Sequence, residues 1–219
     1  METAVRLFQA GGVTMIPLFI CSVLTLAIII EKAYALRTRR VIAPRIVELI
    51  EDMREGENSS VSIAACRRVH TPFARVIETG LENSGLPRAE NVEMIQAVAR
   101  HQVGSLERGL LMLEIITGIS PLLGLLGTVL GIFHVFNVIV ESGVGEASML
   151  SGGISEALTT TIVGLFIAIP SLVGHSYFSK RVDELMLEIE RHANILIHKL
   201  YGSPDRRAAA CAKREESSG

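Results

Sequence analysis

The sequence has no tryptophan, three tyrosines and three cysteines. Cys21, Cys66 and Cys211 lie far apart without a CxxC spacing, so they signal neither a disulfide framework nor a zinc site. They read as small apolar side chains. Charge is also missing from long stretches. Residues 1–36 hold four charges, Glu2, Arg6, Glu31 and Lys32. Residues 109–179 hold four, all glutamates: Glu114, Glu141, Glu146 and Glu156. Not one Lys or Arg lies between Arg108 and Lys180. The other 36 of the 44 Asp, Glu, Lys and Arg residues crowd the remaining 112 positions. The averages alone, 20% charged and net charge −2, would suit a soluble protein. Their segregation excludes a simple soluble globule, and the near-neutral total argues against a dedicated nucleic-acid binder. No nucleophile–base pair, Walker loop or metal-ligand spacing occurs. The chain is therefore not expected to be an enzyme, and no cofactor or metal is expected.

What is present is a set of apolar runs. Val13–Ile30 has no charge over eighteen positions, long enough for a transmembrane helix. A signal peptide is the competing reading, but the run exceeds a typical h-region and no small-x-small cleavage site precedes a secreted domain. Glu31-Lys32 and the basic group Arg37, Arg39, Arg40 and Arg45 look like a stop-transfer flank. Leu110–Val140 is a second span. As one helix it would extend about 46 Å, against about 30 Å of hydrocarbon core, so part of it must leave the bilayer. Ile154–Tyr177 is the third.

Orientation follows from the distribution of Lys and Arg. The positive-inside rule places residues 37–108 and 180–219 in the cytoplasm and the acidic, Gly-rich connection outside. The expected organisation is a short periplasmic N-terminus (1–12), a first transmembrane helix (13–36), a cytoplasmic helical region (37–109), a second transmembrane helix (110–140), a periplasmic loop (141–151), a third transmembrane helix (152–178), a cytoplasmic helix (179–202) and a disordered tail (203–219). Pro44, Pro72 and Pro87 mark helix starts in the cytoplasmic region. Val92, Ile95, Val98, Ala99, Val103 and Leu106 form an apolar stripe expected to continue into the second span as one long helix. Val182, Leu185, Ile189, His192, Leu196 and Leu200 repeat the pattern after the third. The expected fold is an all-α membrane protein whose two long helices extend into a cytoplasmic helical bundle.

Glu156 is the leading functional candidate, because a carboxylate in a span is costly and normally faces protein or a water-filled path. The competing position is the outer headgroup edge. On an ideal helix Thr159 and Thr160 fall within about 60° of Glu156, while Thr161 lies about 140° away. The first two would extend a polar stripe from the acid, unless they merely bond back to the preceding turn. Gly124, Gly127 and Gly131 line one face of the second span and suit close helix packing. Thr128 beside them is either polar glue or part of a path. Pro121 and Pro170 lie inside spans, where neighbours must satisfy the freed carbonyls. His134, Asn137 and His175 fit interfacial polar positions, with a proton relay as the alternative. Glu114 is expected near the cytoplasmic surface.

Two stretches carry a resemblance. One is Leu106-Glu107-Arg108-Gly109 leading into Ser120-Pro121-Leu122-Leu123-Gly124-Leu125-Leu126-Gly127-Thr128-Val129. The other is Gly153-Ile154-Ser155-Glu156-Ala157-Leu158, continuing through Thr161-Ile162-Val163-Gly164-Leu165 to Ala168-Ile169-Pro170. Together they resemble the ExbB/TolQ/MotA family of ion-channel subunits. That resemblance implies a ring-forming subunit of the bacterial inner membrane, a homo-pentamer, around a single-span partner of ExbD/TolR type. It implies use of the proton motive force to energise outer-membrane transport or envelope maintenance, with a TonB- or TolA-like transducer as a further partner. It places Glu156, Thr161 and Thr128 on the ion pathway, and Thr160 beside Thr161 adds an oxygen. Three spans with a glutamate at this position resemble the ExbB/TolQ branch rather than the MotA branch. A sodium-driven form of the same motor and a non-conducting membrane scaffold are the alternatives; a small-molecule transporter lacks the inverted repeats often seen in that class.

Overall fold

A computed structural model describes residues 12–53, 60–142 and 147–202. Every regular element among these residues is a helix. In chain order they are α1 (Met15–Ala35), the single turn α2 (Thr38–Val41), α3 (Pro44–Asp52), α4 (Ser60–Arg68), α5 (Pro72–Glu82), α6 (Arg88–Glu107), α7 (Leu110–Ser142) and α8 (Ala147–Tyr201). The expected periplasmic N-terminus and disordered tail, with Cys211, lie outside the described residues, apart from Gly12 at the end of the former.

The helix starts follow local chemistry. Pro44 and Pro72 occupy first-turn positions, where the missing N–H costs nothing and the fixed φ is already helical. Thr71 caps α5, its Oγ1 accepting from the Ala74 N–H at 3.1 Å. Gly202 ends α8 with φ +69°, a left-handed conformation that favours glycine, and its N–H bonds to the His198 carbonyl.

The helical stripe of α6 does not run on into the second span, contrary to expectation. α6 stops at Glu107, Arg108 is extended (φ −52°, ψ 132°), and Gly109 takes φ +87° before α7 begins. A residue with positive φ cannot continue a right-handed helix. Of the two long helices expected, only α8 is continuous. The connection after the second span is also shorter than 141–151, because α7 reaches Ser142 and α8 starts at Ala147.

The residues fall into two compact units. The first holds α1, α7 and α8 as far as Ser179. All three helices are long and apolar enough to cross a membrane. Met15, Leu18, Ile116 and Ile167 form its buried core, with Cys21, Leu123 and Val163 packed against them. Its outward faces carry large apolar side chains such as Leu122, Phe133, Phe166 and Ile169. In water such a surface would be a liability; in a bilayer it is the expected lipid face.

The second unit holds residues 34–108 and the rest of α8 from Lys180. Phe73, Val76, Ile77 and Leu81 on α5 pack with Ile95 and Ala99 on α6, while Val182, Leu185, Ile189 and Leu196 of the expected stripe are buried on α8. A Cβ on Gly80 would lie 2.8 Å from the Ile95 side chain and 2.9 Å from that of Leu196, so the three helices pack closely at this glycine. Tyr201 locks the end of this core. Its hydroxyl accepts from Asn91 Nδ2 at 2.9 Å and donates to the Leu86 carbonyl at 2.9 Å. Asn91, fully buried, also donates to the Gly80 carbonyl. On the surface Arg67 pairs with Glu78 and Glu82, and these contacts raise its pKa. Beside it burial pushes the Cys66 thiol up to about 11, with the Glu78 carboxylate adding to the shift.

Candidate functional site

The second and third spans meet along a seam of small residues. On α7 these are Ser120, Gly124, Gly127 and Gly131; on α8 they are Gly153, Ala157, Thr160 and Gly164. Both sets repeat with spacings of four, three and four, so each holds one helical face. Their pairing is antiparallel. Gly131 meets Gly153 and Ala157, Gly124 meets Thr160, Thr161 and Gly164, and Gly164 meets Ser120. A Cβ on Gly164 would sit 2.6 Å from the Ser120 carbonyl oxygen, and one on Gly127 would sit 2.6 Å from Thr160 Cβ. Backbones this close leave no room for a larger residue. Thr14, just ahead of α1, reaches the same point, its Oγ1 lying 2.9 Å from a Cβ on Gly127.

The seam positions the ion-pathway candidates on α8. Taking the mean direction of Gly153, Ala157, Thr160 and Gly164 as the seam, position 156 lies about 70° to one side and position 161 about 70° to the other. The pathway candidates therefore flank the packed face from opposite sides. Thr161 is half-buried and donates to the Gly124 carbonyl at 3.2 Å. Thr160 is fully buried in the seam and donates to the Ala157 carbonyl at 2.8 Å, with the Gly124 carbonyl at 3.4 Å. Thr159 bonds back to the Ser155 carbonyl and Thr128 to that of Leu125. The stripe drawn from Glu156 through Thr159 and Thr160 is thus divided: Thr160 enters the helix contact and Thr159 does not. α7 runs through Pro121 and α8 through Pro170 without losing helical assignment.

Other polar groups in this unit also meet, and of these Thr25, Ser171 and the burial of Lys32 were not among the sequence candidates. Thr25 on α1 and Ser171 on α8 share a 2.8 Å hydroxyl–hydroxyl bond, both buried. Lys32 is buried at the end of α1, its Cε 3.4 Å from a Cβ on Gly109. Glu114 on α7 and His175 on α8 approach to 4.0 Å. The sequence signal for Thr25 and Ser171 was only that each is a hydroxyl within an apolar run. No cluster of His, Cys, Asp or Glu suited to a metal ion occurs among the described residues.

Three membrane-length helices, two of them closed on a glycine seam, define a multi-pass membrane protein. A family model described as the MotA/TolQ/ExbB proton channel family matches residues 68–191. The biopolymer transport protein exbB1 of Vibrio cholerae is 31% identical over 89% of this chain and 87% of its own. The putative biopolymer transport protein ExbB-like 3 of Synechocystis is 27% identical over 94% of this chain and 100% of its own. The Tol-Pal system protein TolQ of Haemophilus influenzae is 33% identical over 54% of this chain and 51% of its own. The chain belongs to the MotA/TolQ/ExbB proton channel family, on its ExbB/TolQ branch.

Proposed function

We propose that this chain is the ion-conducting subunit of an inner-membrane energiser. Five copies form a ring around a single-span partner of ExbD/TolR type, the N-terminus lies in the periplasm and the C-terminus in the cytoplasm. Protons moving down their gradient drive the assembly, and a TonB- or TolA-like transducer carries the work to outer-membrane transport or envelope maintenance. Glu156, Thr161 and Thr128 line the ion path, with Thr160 holding the third span against the second. Pro121 and Pro170 belong to the same packed pair of helices.

One observation supports this reading most. The seam of Gly124, Gly127 and Gly131 is closed against Gly153, Ala157 and Thr160, so position 156 is set at its flank rather than inside it. A carboxylate at that register of a span normally faces protein or a water-filled path. A surface supplied by other chains gives it an environment that a carboxylate tolerates. The Thr160 hydroxyl is fully buried in the helix contact, away from a hydrated cation, which supports protons as the transported species.

Liposomes containing the chain with its single-span partner test this directly. Under a fixed pH gradient, dye-reported proton entry is expected to be independent of sodium. Entry that stops when sodium is withdrawn would assign the sodium-driven form. No entry in either condition, from an intact assembly, would leave the scaffold reading.

A further inference from the structure

The pairing of Glu114 with His175 is not explained by helix packing. The two residues are 61 positions apart, on different spans, yet His175 Nε2 lies 4.0 Å from Glu114 Oε2. Next to His175, Gly174 is wedged against Ile29 of α1 and Leu113 of α7, so the pair sits at the junction of all three membrane helices. It is not a sealed structural ion pair, because Glu114 is 64% and His175 26% exposed. The neighbours of Glu114 on α7, Leu111, Met112 and Ile115, are exposed and apolar. A carboxylate on such a surface requires water or another polar group at that depth.

Its position along the membrane is informative. His175 is 19 residues beyond Glu156 on the same helix, about 28 Å at 1.5 Å per residue. That is about the thickness of the hydrocarbon core, so the pair lies nearly a membrane thickness from Glu156, at the end of the third span that Lys180 and Arg181 follow. There an imidazole stands beside a carboxylate, within reach of one bridging water.

We infer that Glu114 and His175 form the proton-exchange pair at the membrane face opposite Glu156, passing protons between the ion path and bulk water. The inference rests on the conduction reading above. A proton arriving at neutral His175 makes an imidazolium. The imidazolium gives a proton from Nε2 to the Glu114 carboxylate through one water, restoring neutral His175. The resulting carboxyl releases the proton to bulk water, and the pair returns to a neutral imidazole beside a carboxylate. The other ionisable groups at this end are Glu31, exposed, and Lys32, buried, on α1; on α8 the next in sequence are Tyr177, exposed, and Lys180.

The test uses the full chain with its single-span partner in liposomes loaded with a pH-sensitive dye. His175→Gln and Glu114→Gln are expected to slow proton flux at least about a hundredfold, the low end of what a positioned acid or base contributes. His175→Gln should also flatten the dependence of flux on pH between about 5 and 8. Added imidazole should restore flux to His175→Ala and leave Glu156→Gln inactive, a result that a packing defect would not give. The inference is overturned if both Gln variants conduct within about twofold of the parent with its pH profile. It is equally overturned if lost flux in an intact assembly resists imidazole. Absence of flux in the unaltered complex would instead remove the conduction reading and the inference with it.

Discussion

Gly127 lies directly beneath Thr160, so close that a methyl group on the glycine would be 2.6 Å from Thr160 Cβ. At Gly164 the obstruction is the Ser120 carbonyl oxygen, which cannot rotate away. Gly118, on the same span, has nothing within 4 Å. Gly127→Ala and Gly164→Ala are expected to cost about 1–3 kcal/mol each, with Gly164→Ala the more severe, as overpacking of a filled contact does. Gly118→Ala should stay within about 1 kcal/mol of the parent. Unfolding of the detergent-solubilised chain measures all three. Equal tolerance at Gly164 and Gly118 would show that the seam does not set the distance between the spans.

Tyr201→Phe removes the hydroxyl that joins Asn91 to the Leu86 carbonyl. Buried Asn91 loses one of its two hydrogen bonds, at an expected cost of about 1–3 kcal/mol. Arg67→Ala, at a solvent-exposed pair, should cost less than Tyr201→Phe and less still in high salt. Chemical denaturation of the two variants side by side separates buried from surface polar contacts. A larger loss for Arg67→Ala would contradict the assignment.

How much of this was legible beforehand differs by element. The three spans could be read directly, because charge-free runs of that length have few other structures. The stripe Val182, Leu185, Ile189, His192 and Leu196 was legible for the same reason: a helix must repeat its buried face about every 3.6 residues. The break at Gly109 was not, since an apolar stripe carries no record of one residue's φ. Gly124, Gly127 and Gly131 were visible as a small face. Their partners Ala157, Thr160 and Gly164 were not assigned to them, because register between two helices depends on contacts more than 20 residues apart. Asn91 with Tyr201, and Glu114 with His175, are invisible for that reason too.

Cys66 gives a pH-dependent signature. Its thiol is buried and titrates at about 11 in the folded chain, against 9.0 when unperturbed. A raised folded pKa stabilises the fold fully below the unfolded value, and that contribution is lost as pH rises through the folded one. Stability is therefore expected to fall between about pH 9 and 11, and Cys66→Ala should shrink that fall. In the native chain Cys66 should resist alkylation at pH 8, a point that mass spectrometry checks after iodoacetamide treatment. Rapid native labelling would contradict the burial.

The conduction reading depends most on one side chain, Glu156. The direct measurement is proton flux through liposomes carrying the chain and its single-span partner, compared with Glu156→Gln, alongside the size of each purified assembly. The expected result is flux reduced to the level of empty liposomes in Glu156→Gln, with the assembly unchanged in size. Undiminished flux in that variant would contradict the role given to Glu156 and the pathway built around it.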